Sequence, residues 1–447
     1  MPVRLPAVRF DTDEIAAAVR GQVVGPPATV EGASIDSRTT APGQLFVPLV
    51  AERDGHDFVA AALERGAAAY LTARPPAPDV ATTAVRVDDT AAALTRLGAV
   101  ARDRLPEAVV GITGSVGKTS VKDLLAAVMR TTYRTAASEK SFNNEIGVPL
   151  TLVDAPGDTE VAVLEMGARG IGHLRTLCAT ARPTTAVVTM VAEVHTSEYP
   201  NGLDDVERAK GELVEAVPAD GAAVLNGSDA RVRRMARLTD ARVLFYGVHG
   251  DVVAQRVAVD DELRPRFRLS SPWGAVDVQL AVHGVHQVGN ALAAAAAALV
   301  HGVPLEGVAE GLSGAALSPW RMELRRTPRG ATVLNDAYNS NPTALEAALH
   351  SLAALDADRK VAVLGIMAEL GPTSDDRHRE MGELADELGV EVVTVACPAY
   401  GIGIDVATVE DAAALLRDPG EGTAVLIKAS RSAGLERLAA LLAGPRP

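Results

Sequence analysis

The sequence predicts an α/β protein of three domains, and three observations carry that prediction. The chain has 447 residues, more than one ordinary core organises. Short apolar strand candidates alternate with periodic helices over most of its length, as in mostly parallel sheets. The alternation falls into three stretches with separate sets of strands, 1–105, 106–315 and 316–447.

The first stretch is a small α/β unit. TVEGASIDSRTTAPGQLFVPLV holds strand-like pieces broken by Gly and Pro. DGHDFVAAALERGAAAYLT predicts a helix closed by Gly66 and then a short strand, and DDTAAALTRLGAVARDRL a periodic helix leading into the next domain. In the second stretch AVVGIT is a strand that enters a Gly-rich loop, followed by the helix VKDLLAAVMRTT. VAVLEMG, TTAVVTMV and GAAVLN are further buried strands, with the helix LDDVERAKGELVEAV before Pro218. From 243 to 284 strand follows strand, which predicts an antiparallel subregion before the Ala-rich helix of HGVHQVGNALAAAAAALVHG. The third stretch offers four buried strands, ATVLNDAY, KVAVLGI, VEVVTVA and TAVLIKAS, with helices such as SDDRHREMGELADELG between them. That is a doubly wound unit of Rossmann type.

Composition narrows the function. With 48% apolar but only 3% aromatic residues, the cores must be built from Ala, Val and Leu. A net charge of −14 argues against general nucleic-acid binding, which needs a basic face. Cys178 and Cys397 form neither a disulfide framework nor a CxxC metal pattern, so a reducing, cytoplasmic setting is expected. The N-terminus lacks a signal-peptide apolar core. The longest apolar run, 291–300, is too short to cross a bilayer, so no membrane insertion is expected. The chain uses 37 arginines but six lysines: Lys118, Lys122, Lys140, Lys210, Lys360 and Lys428. Where Arg is the default cation, a Lys can mark a place that needs an ammonium.

GITGSVGKTS, residues 111–120, lies between a buried strand and a helix, the context of a phosphate loop. Glycines let backbone N–H groups face a nucleotide, and the helix N-terminus adds its positive end. Gly114, Gly117, Lys118, Thr119 and Ser120 form the candidate nucleotide-binding set, with Lys118 on the terminal phosphates and the Thr119 hydroxyl on magnesium. The strict spacing is not met, because Ile112 stands where the first glycine belongs. Glu165 ends a buried strand, where a carboxylate near a triphosphate would hold magnesium. His195 follows the next strand, either as a metal ligand or as a satisfied core histidine. Lys210 sits mid-helix at an inward position, where an unpaired ammonium is costly. It must pair with carboxylates or be altered, for example by carbon dioxide to a carbamate.

TGSVGKTS, SFNNEIGVPLTL, LEMGARG, HTSEYPNGLDDVERAKGEL, HGVHQVGNALAAAAA, RMEL, NDAYNSNPTAL, VLGIMAELG and LIKASRS stand in the order seen in Mur ligases. The chain resembles that family over nearly its whole length. SIDSRTTAPGQLFVPL and DGHDFVAAAL resemble the member that adds D-alanyl-D-alanine to a UDP-muramoyl-tripeptide. The resemblance implies a UDP-binding N-terminal domain, a central P-loop ATPase-type domain and a Rossmann-like C-terminal domain. It implies ATP and magnesium as cofactors, small-molecule substrates and a monomer. The γ-phosphate would go to a substrate carboxylate, and an amine would attack the acyl phosphate to give an amide, ADP and phosphate.

Carried over residue by residue, the resemblance makes Lys118, Glu165, His195, Lys210 and Arg321 the catalytic set. Thr119, Glu165, His195 and carbamylated Lys210 would hold magnesium. Asn290 would contact adenine, Arg321 the γ-phosphate, and Asp336 the ribose or the hinge side of the nucleotide. Tyr338, Asn339 and Pro342 belong to the same motif as Asp336, with Asn341 and Pro342 also starting a helix. Ser37 and Arg38 would meet the UDP end, Asn143 and Asn144 the sugar-peptide path, and Lys428 and Ser430 the dipeptide.

Three departures from the family pattern bear on the acceptor. Asn335 stands where a second aspartate is common, Ile366 where an acidic residue is common, and HTSEYPNG replaces the usual stretch after the histidine. A paralogue joining another acid and amine, as in peptide natural-product synthesis, therefore stays open. A folylpolyglutamate synthetase relative is disfavoured by the 105 residues before the phosphate loop. Lys118, Glu165, His195 and Lys210 are all present, which disfavours a non-catalytic binding protein.

Overall fold

The structure, a computed structural model, describes residues 7–76, 82–106, 108–139, 141–193 and 198–444. Its N-terminal part is a five-stranded sheet in the order Gln22–Val24, Thr83–Arg86, Ala69–Thr72, Leu45–Phe46 and Ala33–Ser34, antiparallel at the first pairing and parallel thereafter. The helix Thr90–Asp103 leads out of it. Asp89 starts that helix by accepting from the N–H groups of Ala91 and Ala92. At its far end the buried Arg102 donates to the carbonyls of Ala181 at 2.7 Å and Pro106 at 2.9 Å, which fastens the helix to the central part.

The central sheet has six parallel strands in the order Arg242–Tyr246, Ala222–Asn226, Thr185–Val188, Val109–Thr113, Val161–Glu165 and Thr135–Ala137. Val109–Thr113 and Val161–Glu165 are buried at every residue, because helices cover both faces. After Val109–Thr113 the chain runs to one edge, returns, and continues on the other side of the same strand. The carboxyl ends of the strands on either side of that reversal form the crevice where open α/β sheets bind ligands.

Arg242–Tyr246 departs from the expected antiparallel subregion. It pairs in parallel with Ala222–Asn226 as the edge strand of the main sheet. The antiparallel sheet is confined to Val253–Val259, Pro265–Ser271 and Gly274–Gln279. The short helix Ala230–Arg234 provides the crossover, and buried Tyr246 donates its hydroxyl proton to Val188 O at 3.2 Å. A short apolar run fits either sheet by pattern, and only its neighbours decide. The helix Gln287–Val300 forms as expected, with Ala291 to Ala298 entirely buried. Its small side chains let it lie close against the helix Lys118–Met129.

The C-terminal sheet runs Glu323–Arg326, Thr332–Asn335, Thr423–Lys428, Arg359–Leu364, Glu391–Val395 and Ile404–Val406, with only the first strand antiparallel. The four expected strands are its inner four, and two short edge strands add to them. The helix Pro342–Ala353 starts as predicted, with Asn341 accepting from Ala344 N–H at 3.0 Å ahead of Pro342. Among the described residues no helix is long and apolar enough to cross a membrane.

Gly98 tests the seam between the first two parts. In a helix interior Ala is normally better than Gly by about 0.5–1 kcal/mol. Here an added Cβ would lie 2.5 Å from Pro149 Cβ and 2.7 Å from Pro149 Cα. Gly98→Ala is therefore expected to destabilise by about 1–3 kcal/mol, the cost of overpacking, in urea denaturation.

Candidate active site

The loop after Val109–Thr113 requires its glycines. Gly114 has φ +142° and Gly117 φ +88°, both in the region that favours glycine. A Cβ on Gly114 would stand 1.9 Å from Thr189 Oγ1, and one on Gly117 2.5 Å from Asn290 Oδ1. The helix Lys118–Met129 starts directly after Gly117 without a side-chain cap, an N-terminus suited to a phosphate. Lys118 curls over the loop and donates to Gly114 O at 2.7 Å and Ser115 O at 3.3 Å. Burial holds its ammonium below the usual range, Glu165 opposes that shift, and Arg321 adds to it.

Thr119 is the junction of the site. Its hydroxyl donates to Glu165 Oε2 at 2.6 Å and accepts from Arg321 Nη2 at 2.8 Å. Glu165 is fully buried, and its other oxygen accepts from Asn143 Nδ2 at 2.7 Å. Arg321 reaches in from the C-terminal part, also touches Ser141 Oγ at 3.2 Å, and lies 4.2 Å from the centre of the Tyr338 ring. Its Nε is buried without a hydrogen-bond partner among the described residues. The residues on either side, Trp320 and Met322, have φ of +61° and +51°. Each such conformation costs about 1–3 kcal/mol in a non-glycine residue.

Lys428 is buried and ion-paired with Asp336, and donates to Asn339 O at 3.0 Å. Asp336 Oδ1 accepts from Met322 N–H at 3.0 Å, so this carboxylate also shapes the Arg321 segment. Lys210 is 2% exposed and makes no hydrogen bond among the described residues. Burial, reinforced by the charge of Lys118, pushes its amine down to about 7. His195 lies outside the described residues.

A cleft of about 1230 Å³ collects most of the expected residues: Gly117, Lys118, Thr119, Ser120, Asn143, Asn144, Glu165, Lys210, Asn290, Arg321, Asp336, Tyr338, Asn339 and Lys428. Ile35 and Leu49 line it from the N-terminal part. Four of the expected residues that are described stand off it: Gly114, Ser37, Arg38 and Ser430. Ser37 is buried beside the cleft, and exposed Arg38 forks onto Asp36 at 2.9 and 2.7 Å. Ser430 accepts from Ala368 N–H at 2.9 Å and so holds the loop after Arg359–Leu364. Asn144 lines the cleft but also starts the helix Gly147–Val153, accepting from Gly147 N–H at 2.9 Å.

Ser141, Thr189 and His286 went unmarked in the sequence. His286 lies one helical turn before Asn290, a spacing that could have found it. It lines the cleft with Nδ1 buried and unpaired among the described residues. Burial pushes its imidazole down, Asp336 opposes that shift, and Lys428 adds to it.

Two of the departures lie off the cleft, and of HTSEYPNG only residues 198–202 are among the described ones. Neither Asn335 nor Ile366 lines the cleft. Buried Asn335 accepts from Ala337 N–H at 3.3 Å. Tyr199 donates its hydroxyl proton to Ala168 O at 3.1 Å, and Asn201 Nδ2 donates to Asp205 Oδ2 at 3.1 Å at the start of the helix Leu203–Glu215.

One hydroxyl shared by a buried carboxylate and an arginine from another domain suits an enzyme that moves a phosphoryl group once its domains meet. Residues 112–298 match the Mur ligase middle domain, and 320–446 match the Mur ligase glutamate ligase domain. The chain belongs to the Mur ligase family, ATP-dependent enzymes that form amides and release ADP. It is 38% identical, over 90% of each chain, to the UDP-N-acetylmuramoyl-tripeptide–D-alanyl-D-alanine ligase of Mycobacterium tuberculosis. The crystal structure of MurF from Acinetobacter baumannii superposes with a TM-score of 0.87 at 29% identity, covering 98% of this chain and 99% of that one. MurF from Thermotoga maritima in complex with ADP superposes with a TM-score of 0.77 at 25% identity, covering 92% and 96%.

Gly114→Ala probes the loop. The added methyl group cannot coexist with Thr189 Oγ1, so the loop must shift. Nucleotide affinity is expected to fall about tenfold or more by calorimetry, the equivalent of about 1.4 kcal/mol.

Proposed function

We propose that this protein joins D-alanyl-D-alanine to a UDP-N-acetylmuramoyl-tripeptide in peptidoglycan precursor synthesis, cleaving ATP to ADP and phosphate. The observation that carries the reading is the Arg321–Thr119–Glu165 chain, formed between domains at the end of a phosphate loop. The relatives supply the substrate names. A carboxylate oxygen of the tripeptide attacks the γ-phosphorus, the bond to ADP breaks, and an acyl phosphate forms. The amine of the dipeptide attacks the acyl carbon, a proton is lost, and phosphate leaves with formation of the amide.

Lys118 and Arg321 offset the repulsion between two anions in the first step. Buried Glu165 and the Thr119 hydroxyl are the donor set that magnesium accepts beside substrate phosphates. When bound, magnesium supplies further neutralisation of the transferring phosphoryl group. Asn290 and His286 face the base, and Asp336 sets the Arg321 segment. Lys428 and Asn339 face the acceptor side, while Ile35 and Leu49 present the N-terminal part to the uridine end, with Ser37 and Arg38 beside them. The divisions 1–105, 106–315 and 316–447 follow these roles. The enzyme works on small molecules as a cytoplasmic monomer and takes no nucleic acid, in keeping with its net charge of −14.

Lys210 acts as a carbamate. Its neutral amine adds to carbon dioxide, a C–N bond forms, and one proton leaves. The product is an anion suited to a second magnesium together with His195. Burial without a partner among the described residues supports this, since a lysine pushed down to about 7 supplies a substantial neutral fraction at that pH.

Phosphate release with mass detection of a UDP-muramoyl-pentapeptide tests the reaction. ATP binding without turnover on these substrates would overturn the assignment of acid and amine. Lys210→Ala is expected to lose roughly 100-fold or more in kcat and to regain part of it with millimolar formate, which replaces the missing anion. Carbamate formation needs the unprotonated amine. The acid limb of the wild-type profile is therefore expected to rise with pH through about 7 and to shift when bicarbonate is varied.

A further inference from the structure

The helix Lys118–Met129 carries Thr119 and Asp123 one turn apart, so both meet the same neighbour. That neighbour is the segment joining the central and C-terminal sheets. Thr119 accepts from Arg321 Nη2 at 2.8 Å, and Asp123 Oδ2 accepts from Ser318 N–H at 2.7 Å. Residues 318–321 are therefore pinned at both ends to the phosphate-binding helix. Asp123 does not line the cleft. Its other oxygen pairs with Lys122 Nζ at 2.6 Å, with the two side chains only 12% and 4% exposed. An acceptor this buried and this charged makes a strong bond to a backbone N–H.

The pinned segment is contorted. Trp320 and Met322 hold left-handed conformations on either side of Arg321. Such a backbone persists only where its surroundings over-determine it. Most of those surroundings belong to the C-terminal part: Arg431 lies 4.3 Å from the Trp320 ring centre, Tyr338 N–H donates to Trp320 O at 3.2 Å, and Asp336 accepts from Met322 N–H. Asp123 belongs to the helix that holds the phosphates.

We propose that Asp123 is a positioning residue for the phosphoryl-transfer step, holding the Ser318 backbone so that Arg321 swings onto Thr119 when the domains close. The proposal rests on the ligation described above for its kinetic readout only.

Two double variants isolate the acceptor without leaving a buried lysine unpaired. Lys122→Met with Asp123→Ala removes it, and Lys122→Met with Asp123→Asn keeps an oxygen for Ser318 N–H. The Ala variant is expected to lose roughly 10- to 100-fold in kcat, the scale of a small misplacement, with KM for ATP within about threefold. The Asn variant is expected to recover most of that loss. Adding Arg321→Ala to the Ala variant is expected to cost little more, because the two residues act as one unit. Equal kcat in the Ala and Asn variants, or losses that multiply, would overturn the proposal. Small-angle scattering with a non-hydrolysable ATP analogue and magnesium reads closure directly. Contraction in the wild type and the Asn variant but not in the Ala variant is expected, and the same response in all three would overturn it. A wild type inert toward the two named substrates overturns the proposed reaction alone, since scattering decides Asp123 without turnover.

Discussion

The hydrogen bond from Arg321 to Thr119 is the constraint on which the rest of the site depends. Its two ends lie in different domains, 202 residues apart in the chain. It forms only when the C-terminal sheet is set over the phosphate loop. The same hydroxyl must serve Glu165, so the loop, the end of Val161–Glu165 and the segment at 318–322 have to agree in position. Phosphoryl transfer to a carboxylate brings anions together, and charges aimed at that point act far more strongly in a dry cleft than in water. A site assembled from two domains shields a reactive intermediate from water more fully than either domain alone.

The uneven use of cations acquires a physical meaning in three dimensions. Lys122, Lys210 and Lys428 are all nearly fully buried. Lys122 and Lys428 each have an aspartate partner, Asp123 and Asp336, close to the Arg321 segment. An ammonium is compact enough to be satisfied by one carboxylate and a few carbonyls, and it can lose its proton. A guanidinium brings five donors and stays charged. Buried Arg102 shows what that demands, since it needs the carbonyls of Ala181, Leu105 and Pro106 to be accommodated. Lys210 lacks such help among the described residues, and burial pushes its amine down to about 7.

Alternation of strand and helix, turn residues and the phosphate-loop motif made the main sheet of each domain legible, along with most of the cleft. Those signals are local, each depending on a few residues of chain. Gly114, Gly117 and the helix at Lys118 are where local chemistry required them to be. The edge strand Arg242–Tyr246 was not legible, because a short apolar run has no periodicity of its own and takes its sheet from its neighbours. The inner C-terminal strands were visible as continuous apolar runs, whereas Glu323–Arg326 is mostly charged and Ile404–Val406 is only three residues long, so neither carries such a signal.

The sequence by itself determined the fold class, the family and the residue types of the site, because each is written in short-range pattern and motif order. Tertiary structure alone decided which of those residues meet. It placed Arg321 on Thr119, put Asp123 beneath Ser318, and left Ser430 as a loop brace off the cleft. It also buried Lys210 away from any carboxylate among the described residues. The physical reason is that distance, burial and electrostatic coupling are properties of packed neighbours, and residues about 200 positions apart become neighbours only when two domains close on one another.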